Sequence, residues 1–111
     1  MDQLQALRDA ICKVFKTWEE YPSSISKFRI QAVCDEKSDR YTLNFVDFEE
    51  GKFKSHLMAN LEITNGKIWI LSDTTAKGIG NELVDVGVSK SQIVLGFYPE
   101  SVRAHGEFAV A

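Results

Sequence analysis

The spacing of hydrophobic residues changes twice along this chain, and that change constrains the fold more than any other feature. Residues 2–20 carry apolar side chains at helical spacing, on a stripe made of Leu4, Leu7, Ile11, Val14, Phe15 and Trp18. From residue 27 to residue 72 the period is two, which is typical of half-buried strands. After Asp73 the helical spacing returns. One long helix, a run of strands and a helical C-terminal part predict an α+β fold.

The period-two region divides at short polar turns. Four strands are predicted, over residues 27–35, 41–48, 53–63 and 67–72. Asn65-Gly66 predicts a type I′ hairpin turn, because that turn needs positive φ at both central residues. Turns this short join antiparallel neighbours, so we expect a four-stranded antiparallel meander with the N-terminal helix on one face. In the third strand we expect one face to carry Phe53, Leu57, Ala59, Leu61 and Ile63.

The C-terminal part predicts a short helix, a second helix start at Ser89 of only a turn or two and a last short helix, and it leaves one segment open. Residues 79–86 have helical spacing, Gly87 fits a left-handed C-terminal cap, and Asp73, Thr74 or Thr75 can cap the start. Ser89 and Gln92 have the spacing of a capping box. Residues 93–97 read as a short buried strand or as the tail of that turn. Pro99 suits the first position of a last short helix, and residues 108–111 form an apolar tail expected to tuck against the domain.

Length and composition predict one soluble domain spanning residues 1–111. The chain is 44% hydrophobic and 26% charged, and no apolar run approaches the ~20 residues that cross a bilayer. Acidic residues and no basic segment occupy the first positions, so a signal peptide is not expected and the predicted location is the cytoplasm. The formal net charge of −3 disfavours a dedicated DNA-binding protein without excluding a local basic patch.

The residues that could do chemistry form no recognisable catalytic set. Cys12 and Cys34 lack metal-ligand spacing and are expected to be reduced thiols. His56 and His105 stand alone, and Gly78-Ile79-Gly80 lacks the third glycine of a dinucleotide-binding loop. The best carboxylate group for acid–base work or a divalent cation comprises Asp73, Glu82 and Asp85, although helix capping and a solvated helix face also explain it.

Two surface features are candidates for binding. A basic strip for phosphate contact would comprise Lys27, Arg29, Lys52 and Lys54, although edge strands also carry such charges to deter aggregation. Phe48 and Trp69 would emerge near Leu71 on the second face of the sheet if that face is open. The alternative is that the C-terminal helices cover them.

The chain resembles the XisI family, which controls excision of the fdxN element in cyanobacteria. The resemblance extends over the whole chain and rests on segments 39–41, 66–70 (GKIWI), 73–75, 78–88, 93–97, 99–103 and 108–111 (FAVA). Departures from the family pattern occur at Thr74, Gly80, Ser89, Tyr98 and Glu100. Tyr98 stands in place of a histidine, which weakens the case for a histidine-based activity.

The resemblance implies a non-catalytic accessory factor without a cofactor. Such a protein would bind an XisH-like companion and modulate a recombinase, XisF, which performs the excision chemistry. The candidate partner contacts are Phe48, Trp69, Leu71, Tyr98 and Arg103. The alternatives are a recombination directionality factor that binds DNA directly through the basic strip, and a metal-dependent enzyme that uses the carboxylate group. A homodimer is compatible with all three.

Overall fold

The computed structural model describes residues 2–21 and 28–111, so the predicted contribution of Lys27 to the first strand lies outside the described residues. The elements in chain order are α1 (Gln3–Glu19), β1 (Arg29–Asp35), β2 (Arg40–Glu49), β3 (Lys52–Thr64), β4 (Lys67–Asp73), α2 (Ile79–Asp85), a 3₁₀ turn (Lys90–Gln92), β5 (Ile93–Leu95) and α3 (Glu100–Arg103). The described helices include none that is long and apolar enough to cross a membrane.

The helix α1 follows its sequence signals closely. The Asp2 carboxylate accepts the N–H of Leu4 at 3.0 Å and caps the first turn. The predicted stripe is buried at its centre, through Leu7, Ile11, Val14 and Phe15. These side chains join one hydrophobic core with the inner face of the sheet and with α2.

A charged contact fixes α1 against the turn between β1 and β2. Arg8 donates from Nε and Nη2 to the two carboxylate oxygens of Asp39, at 2.8 and 3.1 Å. This ion pair lowers the pKa of Asp39. The buried Tyr41 donates its hydroxyl to the same carboxylate at 3.1 Å, and burial raises the pKa of Tyr41. The helix is therefore tied to the sheet by a polar network as well as by the core.

The sheet has five strands and is mixed, so the prediction of four antiparallel strands was incomplete. Its order is β1-β2-β3-β4-β5, and the first four strands pair antiparallel in chain order. β5 pairs parallel with β4, because the chain crosses back through α2 before it re-enters the sheet. Residues 93–95 are thus a strand, one of the two alternatives for that segment. Three residues are too few to show a period of two.

Two β-bulges set which side chains face outward. In the β2–β3 register, Leu43 lies opposite Ala59 and Asn44 lies opposite Leu57, so Met58 is the extra residue. The prediction that Phe53 and Leu57 share a face with Ala59 was therefore wrong: an extra residue reverses the alternation beyond it. A second bulge, in β4, leaves Leu71 without a partner on β3 and exposes it.

Local turn and cap chemistry agrees with the sequence except at the start of α2. Asn65 and Gly66 have φ of 53° and 73°, as a type I′ turn requires. The N-cap position of α2 is Gly78, and not Asp73, Thr74 or Thr75; the Asp73 carboxylate accepts the N–H of Ile79 in the first turn at 2.7 Å. Gly87, at φ 107°, ends the helix. The Gln92 side chain accepts the N–H of Ser89 at 3.2 Å.

The last residues close the far edge of the sheet. Pro99 precedes α3 by one residue instead of occupying its first position. The N–H of Ala109 donates to the carbonyl of Ile93 at 2.8 Å, so the apolar tail packs beside β5 as expected. The β2–β3 hairpin extends from the other end of the sheet. The Cα radius of gyration is 14.8 Å, whereas a compact domain of this length has one near 13 Å.

Candidate interaction surfaces

Four of the five predicted partner contacts lie together where the residues after β5 pack on β4. We call this group the C-terminal cluster; it comprises Trp69, Leu71, Tyr98 and Arg103. The Arg103 guanidinium lies over the Trp69 ring, 5.6 Å from its centroid. The same side chain donates to the backbone carbonyls of Tyr98 and Val110, the latter at 2.7 Å. Arg103 therefore holds the residues after β5 (96–111), which we call the C-terminal segment, on the outer face of β4.

A close backbone approach completes this cluster. A Cβ placed on Gly96 would lie 3.1 Å from the carbonyl oxygen of Ile70, 3.4 Å from the Trp69 ring and 3.6 Å from Leu71. Glycine thus lets the segment after β5 lie directly on β4. Of the two alternatives for Trp69, partial cover by the C-terminal segment is the one observed.

The outward side of the C-terminal cluster is apolar and accessible. Leu71 is 40% exposed and Tyr98 is 45% exposed, and the neighbouring Phe97 and Val102 are also exposed. Tyr98, Val102 and Arg103 line an apolar recess of about 100 Å³. It adjoins a more polar recess of about 270 Å³ near Asp73, and the two share Leu95, Tyr98 and Phe108 in their walls. Neighbouring apolar side chains beside a recess are typical of a site that accepts an anchor residue of another protein.

Phe48, the fifth predicted contact, lies on a separate surface. We call residues 44–57 of the β2–β3 hairpin the arm. On its outer face Phe48 meets Phe53 edge to face, at 4.9 Å between ring centroids, and Arg29 lies 5.8 Å from the Phe53 ring. On its other face Phe45 stacks on His56 at 5.0 Å. The C-terminal segment does not reach these aromatic pairs.

The described members of the predicted basic strip do not share a face. Lys27 lies outside the described residues. Arg29 pairs with Val46 on the outer face, whereas Lys52 and Lys54 occupy alternate positions on the other face. Lys54 is also 3.1 Å from Glu49, an exposed contact between opposite charges. This geometry gives little support to a continuous track for phosphates.

The three candidate carboxylates are held apart by different partners. Asp73 accepts the N–H of Ile79 in the first turn of α2, while Asp85 pairs with Lys77. Glu82 accepts the indole N–H of Trp18 at 3.1 Å, and burial raises the pKa of Glu82. Among the residues that the structure describes, no three acidic, histidine or cysteine side chains are grouped for metal binding.

The fold also brings together residues that the sequence did not connect. Cys34 lies on the edge strand β1 near Cys12 of α1, and burial raises the pKa of Cys34 to about 12. The Trp18–Glu82 contact joins α1 to α2 in the same way. The stacking of His56 on Phe45 was missed as well, since the bulge at Met58 reverses that part of β3.

The described architecture defines a class: small α+β proteins in which an N-terminal helix packs on a five-stranded mixed sheet with four antiparallel strands and one parallel strand. The sequence model of the family described as XisI protein matches residues 1–110. This chain belongs to the XisI family. Among curated proteins, none matches it.

Two solved structures resemble this one over nearly their whole length. The fdxN element excision controlling factor XisI from Anabaena variabilis is 32% identical, with a TM-score of 0.79 over 99% of this chain and 100% of that chain. A XisI-like protein from the same organism is 23% identical, with a TM-score of 0.84 over 97% of this chain and 99% of that one. The first resemblance connects this chain to a controlling factor by sequence and fold, and the second shows the fold.

Proposed function

We propose that this chain is a non-catalytic controlling factor that binds an XisH-like protein and thereby modulates a recombinase in site-specific DNA excision. Family membership and the similarity to an excision controlling factor support the role. The observation that carries the binding mode is the C-terminal cluster, where four predicted contacts form one partly apolar surface and two of them, Tyr98 and Arg103, line a recess. The excision chemistry belongs, in this proposal, to the recombinase.

The side chains of the C-terminal cluster have the properties of a protein-binding surface. Tyr98 and Leu71 offer accessible apolar area, and Arg103 offers a guanidinium already fixed by two backbone carbonyls and an aromatic ring. Aromatic and arginine side chains dominate the binding energy of many interfaces. A fixed side chain also loses less conformational entropy on association. The partner surface that fits is apolar at its centre, with one projecting side chain for the recess.

The experiment is to co-express this chain with the XisH-like protein of the same genome and measure the complex by size-exclusion chromatography and calorimetry. We expect co-elution and a Kd in the micromolar range or tighter. Leu71→Ser and Tyr98→Ala should each weaken binding by about 10-fold or more, as truncation of a central interface residue does. The matched control is Val33→Ser, which removes an apolar side chain that is 56% exposed on β1.

Three outcomes oppose the proposal. Separate elution at micromolar concentration excludes a stable complex. If Val33→Ser weakens partner binding and Leu71→Ser does not, the interface lies at β1, the opposite edge of the sheet. The third outcome is a mobility shift of excision-site DNA by this chain alone, with a salt dependence that decreases in Lys52→Ala and Lys54→Ala. This result would show that the chain contacts DNA directly.

A further inference from the structure

The arm presents an open strand edge. β4 pairs with β3 only from Ala59 to Thr64, and within the described residues no strand pairs with the same edge of β3 over residues 52–57. All six residues of this segment are exposed. An open edge displays unpaired N–H and C=O groups, which form a template for another strand.

The side chains along this edge differ between the two faces. Phe53 and Leu57 point to the outer face, where they are 64% and 39% exposed. Lys54 and His56 point to the other face. Ser55 lies midway between the two apolar residues. A strand that pairs here must therefore supply apolar side chains to the outer face at a spacing of four residues.

We propose that the strand is residues 53–57 of a second copy, paired antiparallel about a two-fold axis through Ser55. That axis places Phe53 of each chain directly opposite Leu57 of the other, Lys54 opposite His56, and Ser55 opposite itself. The outer face then carries a continuous apolar stripe of Phe48, Phe53 and the second copy's Leu57 on each side of the axis. The two five-stranded sheets then form one continuous ten-stranded sheet. Because the interface is two-fold symmetric, assembly stops at a dimer.

The two neighbouring registers, in which the axis moves by one residue, fit less well. An axis at Lys54 places Lys54 against Lys54 and faces Phe53 with Ser55. An axis at His56 pairs His56 with itself and faces Leu57 with Ser55. Like charges opposite one another destabilise a sheet, whereas apolar pairs stabilise it. The length also fits, because pairing over residues 53–57 ends before Met58, whose carbonyl accepts the N–H of Thr74, and before Ala59, which faces Asp73 of β4.

The test of register is a cysteine placed on the axis. In a background with Cys12→Ser and Cys34→Ser, Ser55→Cys should form an intermolecular disulfide when oxidised glutathione supplies the oxidant. Residues facing each other across an antiparallel pair have Cβ atoms about 4.5–5.5 Å apart, close to disulfide reach. Lys52→Cys is the control: in this register the two copies of residue 52 are offset by six positions, roughly 20 Å.

The test of assembly is sedimentation velocity from 1 to ~500 μM on the unmodified chain. We expect a reversible monomer–dimer equilibrium that Phe53→Lys weakens at least 10-fold, while Val33→Lys on the β1 edge leaves it unchanged. Both side chains are exposed, so circular dichroism should confirm that both variants fold. A monomer at every concentration overturns the proposal. So does a dimer broken by Val33→Lys and kept by Phe53→Lys, or equal cross-linking at residues 52 and 55. Each result is independent of XisH-like partner binding.

Discussion

Gly80 and Gly87 lie in and after the same short helix, and alanine at these two positions should have opposite effects on stability. A Cβ on Gly80 would lie 3.4 Å from Leu95 and from two atoms of the Phe108 ring. The contacted atoms of Leu95 and Phe108 lie at the ends of partly exposed side chains, so they can shift by a few tenths of an ångström. A Cβ on Gly87 would touch nothing within 4 Å, but φ there is +107°.

The magnitudes follow from these two environments. Alanine is preferred over glycine in a helix by about 1 kcal/mol in the interior and by less in the first turn, where Gly80 lies. The methyl group also buries apolar area worth up to ~0.8 kcal/mol, part of which is offset by the shift of Phe108. We expect Gly80→Ala to raise the free energy of unfolding by about 0.5–1 kcal/mol. Gly87→Ala should lower it by about 1–2 kcal/mol, because alanine is strained at positive φ.

Urea unfolding followed by tryptophan fluorescence and circular dichroism measures both changes. Thermal midpoints should rise by roughly 2–5 °C for Gly80→Ala and fall by roughly 4–8 °C for Gly87→Ala. A destabilised Gly80→Ala protein would refute the reasoning that Phe108 can yield. The same substitution in a Phe108→Ala background would then show whether the ring is the obstacle, since the penalty should disappear there.

Three further predictions concern partly buried polar contacts. Tyr41→Phe removes a hydroxyl donated to the Asp39 carboxylate and should cost about 1–2 kcal/mol in urea unfolding, with no change if the bond contributes nothing. Because burial raises the pKa of Glu82, this group favours the folded state below its unfolded pKa and loses that contribution as pH rises through its folded pKa. Glu82→Gln should therefore gain stability relative to the unmodified chain as pH rises from 4 to 7, and a pH-independent difference would contradict this. Asp73→Ala removes the acceptor of the Ile79 N–H in the first turn of α2 and should cost about 1–2 kcal/mol, whereas Asp73→Asn should cost less.

Local signals in the sequence were sufficient for elements whose structure depends on neighbouring residues. The bounds of α1 follow from its stripe and from Asp2, and the β3–β4 turn follows from Asn65-Gly66. The end of α2 follows from Gly87, the residue type that accepts positive φ at least cost. These features depend on contacts within a few positions, and one sequence contains that information.

The features that the sequence did not predict depend on contacts between segments far apart in the chain. The bulge at Met58 leaves the alternation of apolar residues in β3 almost unbroken, so nothing local signals that Phe53 and Leu57 face outward. Glu82 lies 64 residues from Trp18, and Arg8 lies 31 residues from Asp39. Such contacts follow from the order of the strands and from the position of α1 across them. The parallel pairing of β5 has the same origin, because it requires the crossover through α2.

The grouping of the candidate binding residues also follows from topology. Trp69 and Leu71 belong to β4, and Tyr98 and Arg103 come after β5, yet the parallel β4–β5 pair brings them together. Phe48 has a similar sequence character, but it lies on a hairpin that leaves the core. Composition and spacing identify side chains suited to an interface. The order of the strands decides whether they form one surface or two.

Two separate surfaces lead to a prediction about stoichiometry. Trp69 lies opposite Glu62 on β3, and Phe53 is nine positions further along the same strand, roughly 30 Å away. A dimer joined through the arms would therefore present two C-terminal clusters, and the complex with an XisH-like protein should contain two copies of each chain. Phe53→Lys should reduce its mass, measured by light scattering, to one copy of each with little change in partner affinity per site. A complex that stays at two copies of each with Phe53→Lys would show that the partner, and not the arm, joins the copies.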